Sequence, residues 1–181
     1  YIQNITISYS DFSCSLAGRR KLGKIHIYMT GLLATEGTVV TVTLEDFYVE
    51  HHKIEGTQIS TIKDVTGVKW GFEQKIKNGK ITLPSGDFLL WESQKNIQID
   101  FLSKLITQTG GSDGVTSQGT HFTSEIGSPL EESFSCNYIQ KGVIVVELED
   151  YNEFFIDYGT GECDDQAIVN YGNEFHTITM K

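Results

Sequence analysis

Apolar and polar positions alternate with a period of two along nearly the whole chain. The pattern is plain in Ile5/Ile7/Tyr9, Ile25/Ile27/Met29, Val40/Val42/Leu44, Phe72/Ile76 and Ile97/Ile99/Phe101. It returns in Val143/Val145, Phe154/Ile156/Tyr158, Ala167/Val169/Tyr171 and Ile178/Met180. Successive side chains of a strand point to opposite faces, so this period marks strands with one face covered. β-Branched and aromatic residues dominate the runs, as a pleated surface favours.

Turn-forming residues punctuate the runs. Asn78-Gly79 is the strongest hairpin signal, because a type I′ turn needs two residues that tolerate positive φ. Pro84-Ser85-Gly86 predicts a second tight turn, and others are expected at His51-His52-Lys53, Gly110 to Gly114, Asp150 to Asn152 and Gly172-Asn173. Connections this short force antiparallel pairing, since parallel strands need a long crossover. The expected fold class is all-β: an antiparallel meander of about 12 strands with little or no helix. Twist accumulates and bare edges invite aggregation, so the sheet is expected to roll into a barrel-like or two-layer arrangement or to be capped at its edges.

Two segments read less clearly. Asp100 to Gln108 places Phe101, Leu102, Leu105 and Ile106 at helical spacing, and a short helical turn or a strand end is equally expected. Thr109 to Thr120, rich in Gly, Ser and Thr, reads as a mobile loop. Alternation resumes at once in His121-Phe-Thr-Ser-Glu-Ile126, so residues 1–181 are expected to form a single domain. The chain also resembles itself: Ile5-Thr-Ile-Ser-Tyr9 runs on to Cys14 as Phe154-Phe-Ile-Asp-Tyr158 runs on to Cys163, with Tyr five residues before Cys each time.

Composition narrows the class. With 39% hydrophobic and 21% charged residues the chain is built to fold, and a chain of this length buries roughly 70% of its unfolded surface. No apolar run approaches the ~20 residues of a membrane-spanning helix. Tyr1 is not followed by a secretory leader pattern and reads as the start of a mature or trimmed chain. A net charge of −10 repels phosphate backbones, which argues against nucleic acid as a partner. The dense basic cluster Arg19-Arg20-Lys21 with Lys24 is expected to be a solvated turn. Three cysteines, Cys14, Cys136 and Cys163, lack metal-ligand spacing; their odd number means one bridge with a spare thiol, or a partner lost upstream.

Motifs for chemistry are sparse. There is no Gly-x-Ser-x-Gly, His-Glu-x-x-His or Gly-rich phosphate loop, so the expectation is a non-enzyme with no catalytic residues, metal or cofactor. Carboxylates are numerous enough that a glycosidase pair is not excluded by counting. His51-His52, flanked by Glu50 and Glu55, reads as a hairpin tip, whereas a shared metal would need both rings on one side. Asp157, Glu162, Asp164 and Asp165 surround Gly159-Thr-Gly161; calcium is conceivable there, but Asp side chains bonding nearby amides are the simpler expectation. Aromatic residues are chiefly core. Tyr48, Trp70 and Trp91 are the candidates for contact with a ligand or partner, should they stand on an exposed face.

The order and spacing of several motifs resemble uncharacterised lipoproteins of Bacteroidetes outer membranes. The resemblance runs through Gly23-Lys-Ile-His-Ile27, Gly37-Thr-Val-Val-Thr-Val-Thr-Leu-Glu-Asp-Phe-Tyr-Val49, Lys53-Ile-Glu-Gly-Thr57 and Asn78-Gly-Lys-Ile-Thr-Leu-Pro-Ser-Gly86. It continues through Trp91, Ser128-Pro-Leu130, Cys136-Asn-Tyr-Ile-Gln-Lys-Gly142 and Asp157-Tyr-Gly-Thr-Gly-Glu-Cys163-Asp. Departures are Gly18-Arg-Arg-Lys21 for a Gly-Arg-x-Arg turn, the apolar Phe88-Leu-Leu90 for a more polar strand, and Tyr138 for a Trp. The resemblance implies export, a lipidated cysteine upstream of residue 1, and an outer-membrane or cell-surface location facing the exterior or the periplasm. It brings no catalytic residues. Relatives also carry a cysteine before the first repeated unit. On that basis Cys136 and Cys163 bracket one strand pair and form a disulfide, leaving Cys14 to an upstream partner; without the bridge all three are free thiols. The functional expectation is an accessory or structural lipoprotein domain contacting an envelope protein, membrane-associated only through its anchor. The alternative is a carbohydrate-binding module that holds a glycan on exposed aromatics.

Overall fold

The computed structural model describes residues 3–14 and 20–180. Twelve strands follow one another: β1 (Gln3–Cys14), β2 (Arg20–Met29), β3 (Val39–Val49), β4 (His52–Thr66), β5 (Lys69–Thr82) and β6 (Phe88–Asp100). Then come β7 (Leu105–Thr116), β8 (His121–Ser133), β9 (Lys141–Leu148), β10 (Phe154–Thr160), β11 (Gln166–Tyr171) and β12 (Glu174–Thr179). All pair antiparallel in sequence order within one sheet, so the fold is the all-β meander that the alternation implies. The sheet does not close: β1 and β12 each have one neighbour.

One row of directly opposed residues crosses the sheet and explains its shape. It reads Ile5, Ile27, Val42, Gln58, Ile76, Ser93, Ser112, Ser124, Val146, Phe154, Tyr171, Glu174. On this face β1 to β3 and β9 to β11 carry apolar or aromatic residues, β6 to β8 carry serine, and β12 carries Glu174. The opposite face of the centre holds Lys75, Glu92, Gln94, Asn96 and Glu125, so at the serine row the centre is polar on both sides. Accessible surface is 11140 Å², against roughly 8,800 Å² for a compact monomer of this mass and about 29,000 Å² unfolded. Folding therefore buries about 60% of the chain's surface, less than the roughly 70% its length allows.

What core there is gathers toward one rim. Met29, Thr38, Ile62, Leu130, Cys136 and Ala167 are buried, and all lie in or near the loops that end even-numbered strands. The β2–β3 loop closes over β4: Gly37 N donates to Ile62 O at 2.8 Å, Ile62 N to Thr38 O at 2.9 Å, and Val65 N to the Glu36 carboxylate. Ile62 is only 1% exposed as a result. Phe47, buried near the opposite rim, meets the Tyr9 ring edge-on at 6.0 Å.

Several turn expectations are corrected. Asn78-Gly79 makes no hairpin: β5 runs through it as a bulge against β6, with Asn78 at φ 51°. A bulge uses the same left-handed residue that a type I′ turn does, and here a Cβ on Gly79 would come within 2.7 Å of the Trp91 ring. The hairpin lies five residues on, around Pro84-Ser85-Gly86. Thr109 to Thr116 is no loop but the body of β7, and Asp100 to Gln108 is a strand end, a turn and a strand start rather than helix. Glycine is tolerated in β7 because neighbours fill the space: a Cβ on Gly111 would meet the Glu125 carboxyl group, and one on Gly114 the Phe122 ring. The His-His turn is centred one residue earlier, on Glu50-His51 at φ 49° and 72°, with His52 opening β4. Arg20, Lys21 and Lys24 lie in β2 rather than a turn, while Arg19 is outside the described residues.

Candidate functional site

Antiparallel order puts successive hairpins at alternating ends of the sheet, and the two ends differ. The β2–β3, β4–β5, β6–β7, β8–β9 and β10–β11 loops form the rim that carries the cysteines. Cys136 in the β8–β9 loop and Cys163 in the β10–β11 loop are joined by a disulfide with Cα atoms 5.8 Å apart. A bridge between adjacent loops has the ordinary separation for such a bond. Beside it, Gln140 Nε2 donates to Gly161 O at 3.0 Å and Gln140 Oε1 accepts from Ser133 N at 2.7 Å.

The same rim holds a line of aromatic contacts. Trp70, at the start of β5, meets Phe101 edge-on at 5.2 Å, and Phe101 meets Phe134 at 6.0 Å; Phe72 lies 6.4 Å from Trp70. The neighbouring turns are tied by backbone bonds, Phe101 N to Val68 O and Phe134 N to Lys104 O. Apolar side chains stand in water around this line. Leu102 is 80% exposed, Leu32 58% and Phe134 48%, with Leu33, Val68 and Phe101 also exposed. Three hairpin steps separate the Leu32 and Phe134 loops, about 29 Å at the ordinary strand spacing. An apolar stripe of that extent is larger than scattered surface leucines explain.

Asp100 clamps the β6–β7 turn from which Phe101 and Leu102 project. Its carboxylate accepts from Leu102 N at 2.9 Å and Ser103 N at 3.1 Å, and Lys69 Nζ lies 3.3 Å away. These amide donors, Ser103 first, hold its pKa below the usual aspartate range.

The sheet face offers a second feature. A shallow trough of about 610 Å³ lies over Gly110-Gly111, flanked by Lys75, Gln94, Asp113 and Glu125. A depression of about 400 Å³ beside it shares Glu92 and Asp113 and is lined by Trp91.

The sequence candidates separate between these two places. Trp70 belongs to the rim cluster and Trp91 to the trough's margin; both are half-buried. Tyr48, half-buried at the far end of β3, joins neither. His51 is within 3.2 Å of Arg20 Nη2, and His52 Nδ1 lies 3.2 Å from Val49 O. Among the described residues no three His, Cys, Asp or Glu side chains form a group able to hold a metal. The Gly159-Thr160-Gly161 turn is held by its own side chains: Gly159 N donates to Asp157, Thr160 Oγ1 to Glu162, and Gln166 N to Asp164.

The sequence reasoning missed the exposed rim leucines and Lys95. Lys95 stands at the sheet centre between Gln74 and Gly110, where burial depresses its pKa. A signal for the rim existed: Phe101-Leu102 and Leu32-Leu33 are apolar pairs inside hairpin turns, positions that polar residues ordinarily fill. Comparison with protein-family models, with characterised proteins and with solved structures finds no match.

Proposed function

We propose that this chain is a non-enzymatic accessory domain that docks a protein partner of the bacterial envelope through its cysteine rim. The observation that carries the reading is the exposed stripe from Leu32 and Leu33 through Val68, Phe101 and Leu102 to Phe134. Aromatic anchors with surrounding aliphatic side chains are what protein interfaces concentrate at their centres. The stripe sits on the end of the sheet that its disulfide and edge-on rings hold in place, so little order must be imposed on binding. A net charge of −10 disfavours an anionic lipid surface as the occupant.

Location is part of the same reading. A disulfide persists in oxidising surroundings, which supports export. The resemblance to surface lipoproteins supports a lipid anchor upstream of residue 1.

Site-specific photocrosslinking in native envelopes tests the docking. A photoreactive residue at Leu102 is expected to give a discrete adduct, one at Gln118 on the opposite rim none, and Phe134→Ser is expected to reduce the Leu102 adduct at least fivefold. Adducts equal at both rims, or none at Leu102, would end this reading.

A further inference from the structure

We propose that the polar trough on the sheet face binds an uncharged, hydroxyl-rich oligosaccharide, at a site separate from the rim. Three depressions line up across the sheet, and Asp113 borders all of them. They reach from Glu55 on β4 to Glu147 on β9, about 24 Å at roughly 4.8 Å per strand step. That is the length of a short linear glycan rather than of one sugar.

The floor is polar. The row Lys75, Gln94, Gly111, Glu125 crosses four strands, and the Glu125 carboxyl group lies over Gly111, which has no side chain to displace it. A sugar resting there meets the Gln94 amide and the Glu125 carboxylate side by side.

Four wall residues keep their polar groups free. Elsewhere this sheet pairs its charges, Lys24 with Glu45 at 2.6 Å and Lys141 with Glu131 at 3.1 Å, and at the trough's edge Lys75 pairs with Glu73 at 3.2 Å. In the trough, Glu92, Gln94, Asp113 and Glu125 have no side-chain hydrogen bond or ion pair among the described residues. Glu92 even stands directly opposite Asp113, a like-charge pairing that weakens a sheet. All four face solvent, so their donors and acceptors are open to a hydrogen-bonding ligand.

Chemistry selects the class. Carboxylates accept, amides do both, and lysines donate, so a surface mixing them matches hydroxyls that donate and accept at once. Six carboxylates against three lysines line the three depressions, which repels uronate, sulfate or phosphate groups. A peptide strand has nothing to pair with here, because the ladder hydrogen bonds of β5 to β8 are already used within the sheet. Leu90, two residues before Glu92 on the same face and exposed, offers an apolar surface at one end.

Calorimetric titration of the whole chain with cellohexaose, chitohexaose and hexagalacturonate tests this. At least one of the two uncharged hexasaccharides is expected to bind, with hexagalacturonate at least tenfold weaker. The double variant Gln94→Ala/Asn96→Ala is expected to weaken binding tenfold or more, and Leu102→Asp at the rim to leave it unchanged. No binding of either uncharged glycan at millimolar concentration, equal binding of the galacturonate, or full affinity in a folded double variant would each overturn the proposal. Loss of binding in Leu102→Asp alone would relocate the site to the rim.

Discussion

The two rims of this sheet are built from the same number of strands but by different means. Across the rim opposite the cysteines, side-chain carboxylates tie one hairpin to the next. Glu50 accepts from Arg20 N at 2.6 Å, Asp87 from the Ser117 hydroxyl and the Gln118 amide at 3.0 Å each, and Glu149 from His121 N at 3.3 Å. Backbone bonds link neighbouring hairpins on both rims, and the cysteine rim adds a disulfide and rings meeting edge-on. The exposed apolar residues on that rim, Leu83, Tyr151, Tyr171 and Phe175, belong to the β5–β6, β9–β10 and β11–β12 hairpins and make no run as long as that of the cysteine rim. Ring and disulfide ties bury the core and at the same time leave an apolar stripe on the outside. The difference teaches that core and interface grow from one cluster in an open sheet, because apolar side chains massed at one end are only partly covered by their neighbours.

The largest expected effect is loss of the bridge. The disulfide spans a sequence separation of 27, and closing a loop of that size is worth about 3–4 kcal/mol on the chain-entropy account. Paired Cys136→Ala and Cys163→Ala substitution is expected to lower stability by about that much in denaturant titration. It is also expected to speed amide exchange at the cysteine rim more than at the opposite one. Equal acceleration at both rims would show that they are not energetically distinct.

Next in size is a core deletion. Ile62, 1% exposed beneath the β2–β3 loop, has no exposed surface to relax into. Ile62→Ala is expected to cost about 3 kcal/mol. The same truncation at Leu83, exposed on the opposite rim, is expected to stay within about 0.5 kcal/mol. Urea midpoints of the two variants measure the contrast, and similar losses would mean that the core is not concentrated where the burial places it.

The strands were legible in the sequence because period-two alternation is a local property, and it holds from Ile5 to Ile178. The disulfide was legible only through the order of motifs around Cys136 and Cys163. What stayed hidden depends on the neighbouring strand. Asn78-Gly79 carries the same signal for a turn and for a bulge, and only the Trp91 ring across the ladder separates them. Gly110-Gly111 reads as a loop until Glu125 is placed over it. Both candidate sites arise this way: the trough from glycines paired with long polar side chains, and the rim from apolar turn residues that become adjacent only when every second hairpin lands at the same end. The core followed the same logic, since its members come together only where the loops of one rim fold over the strand ends.

The smallest effect is also the sharpest comparison, because on each rim an aspartate with a lowered pKa clamps a turn. Asp87 is held below the usual aspartate pKa by the Ser85 hydroxyl first, then by Ser117, with Gln118 adding to it. Asp100 is held down mainly by the Ser103 amide, then by Leu102 and by Lys69. In both, the folded pKa lies below the unfolded value of about 3.9, so the ionised form stabilises the turn. That contribution is fully present above about pH 4 and is lost as pH falls through the lower folded values. NMR titration is expected to find both carboxyls ionising below the ordinary aspartate range. The amides of Leu102 and Ser103 are expected to shift with Asp100, and Ser117 and Gln118 with Asp87. Lys69→Gln is expected to raise the Asp100 midpoint slightly and leave Asp87 where it was, since their clamps share no residue. A common midpoint moving in both would mean that the two rims titrate as one unit, and an ordinary midpoint for Asp87 would remove the carboxylate tie on which the contrast between them is drawn.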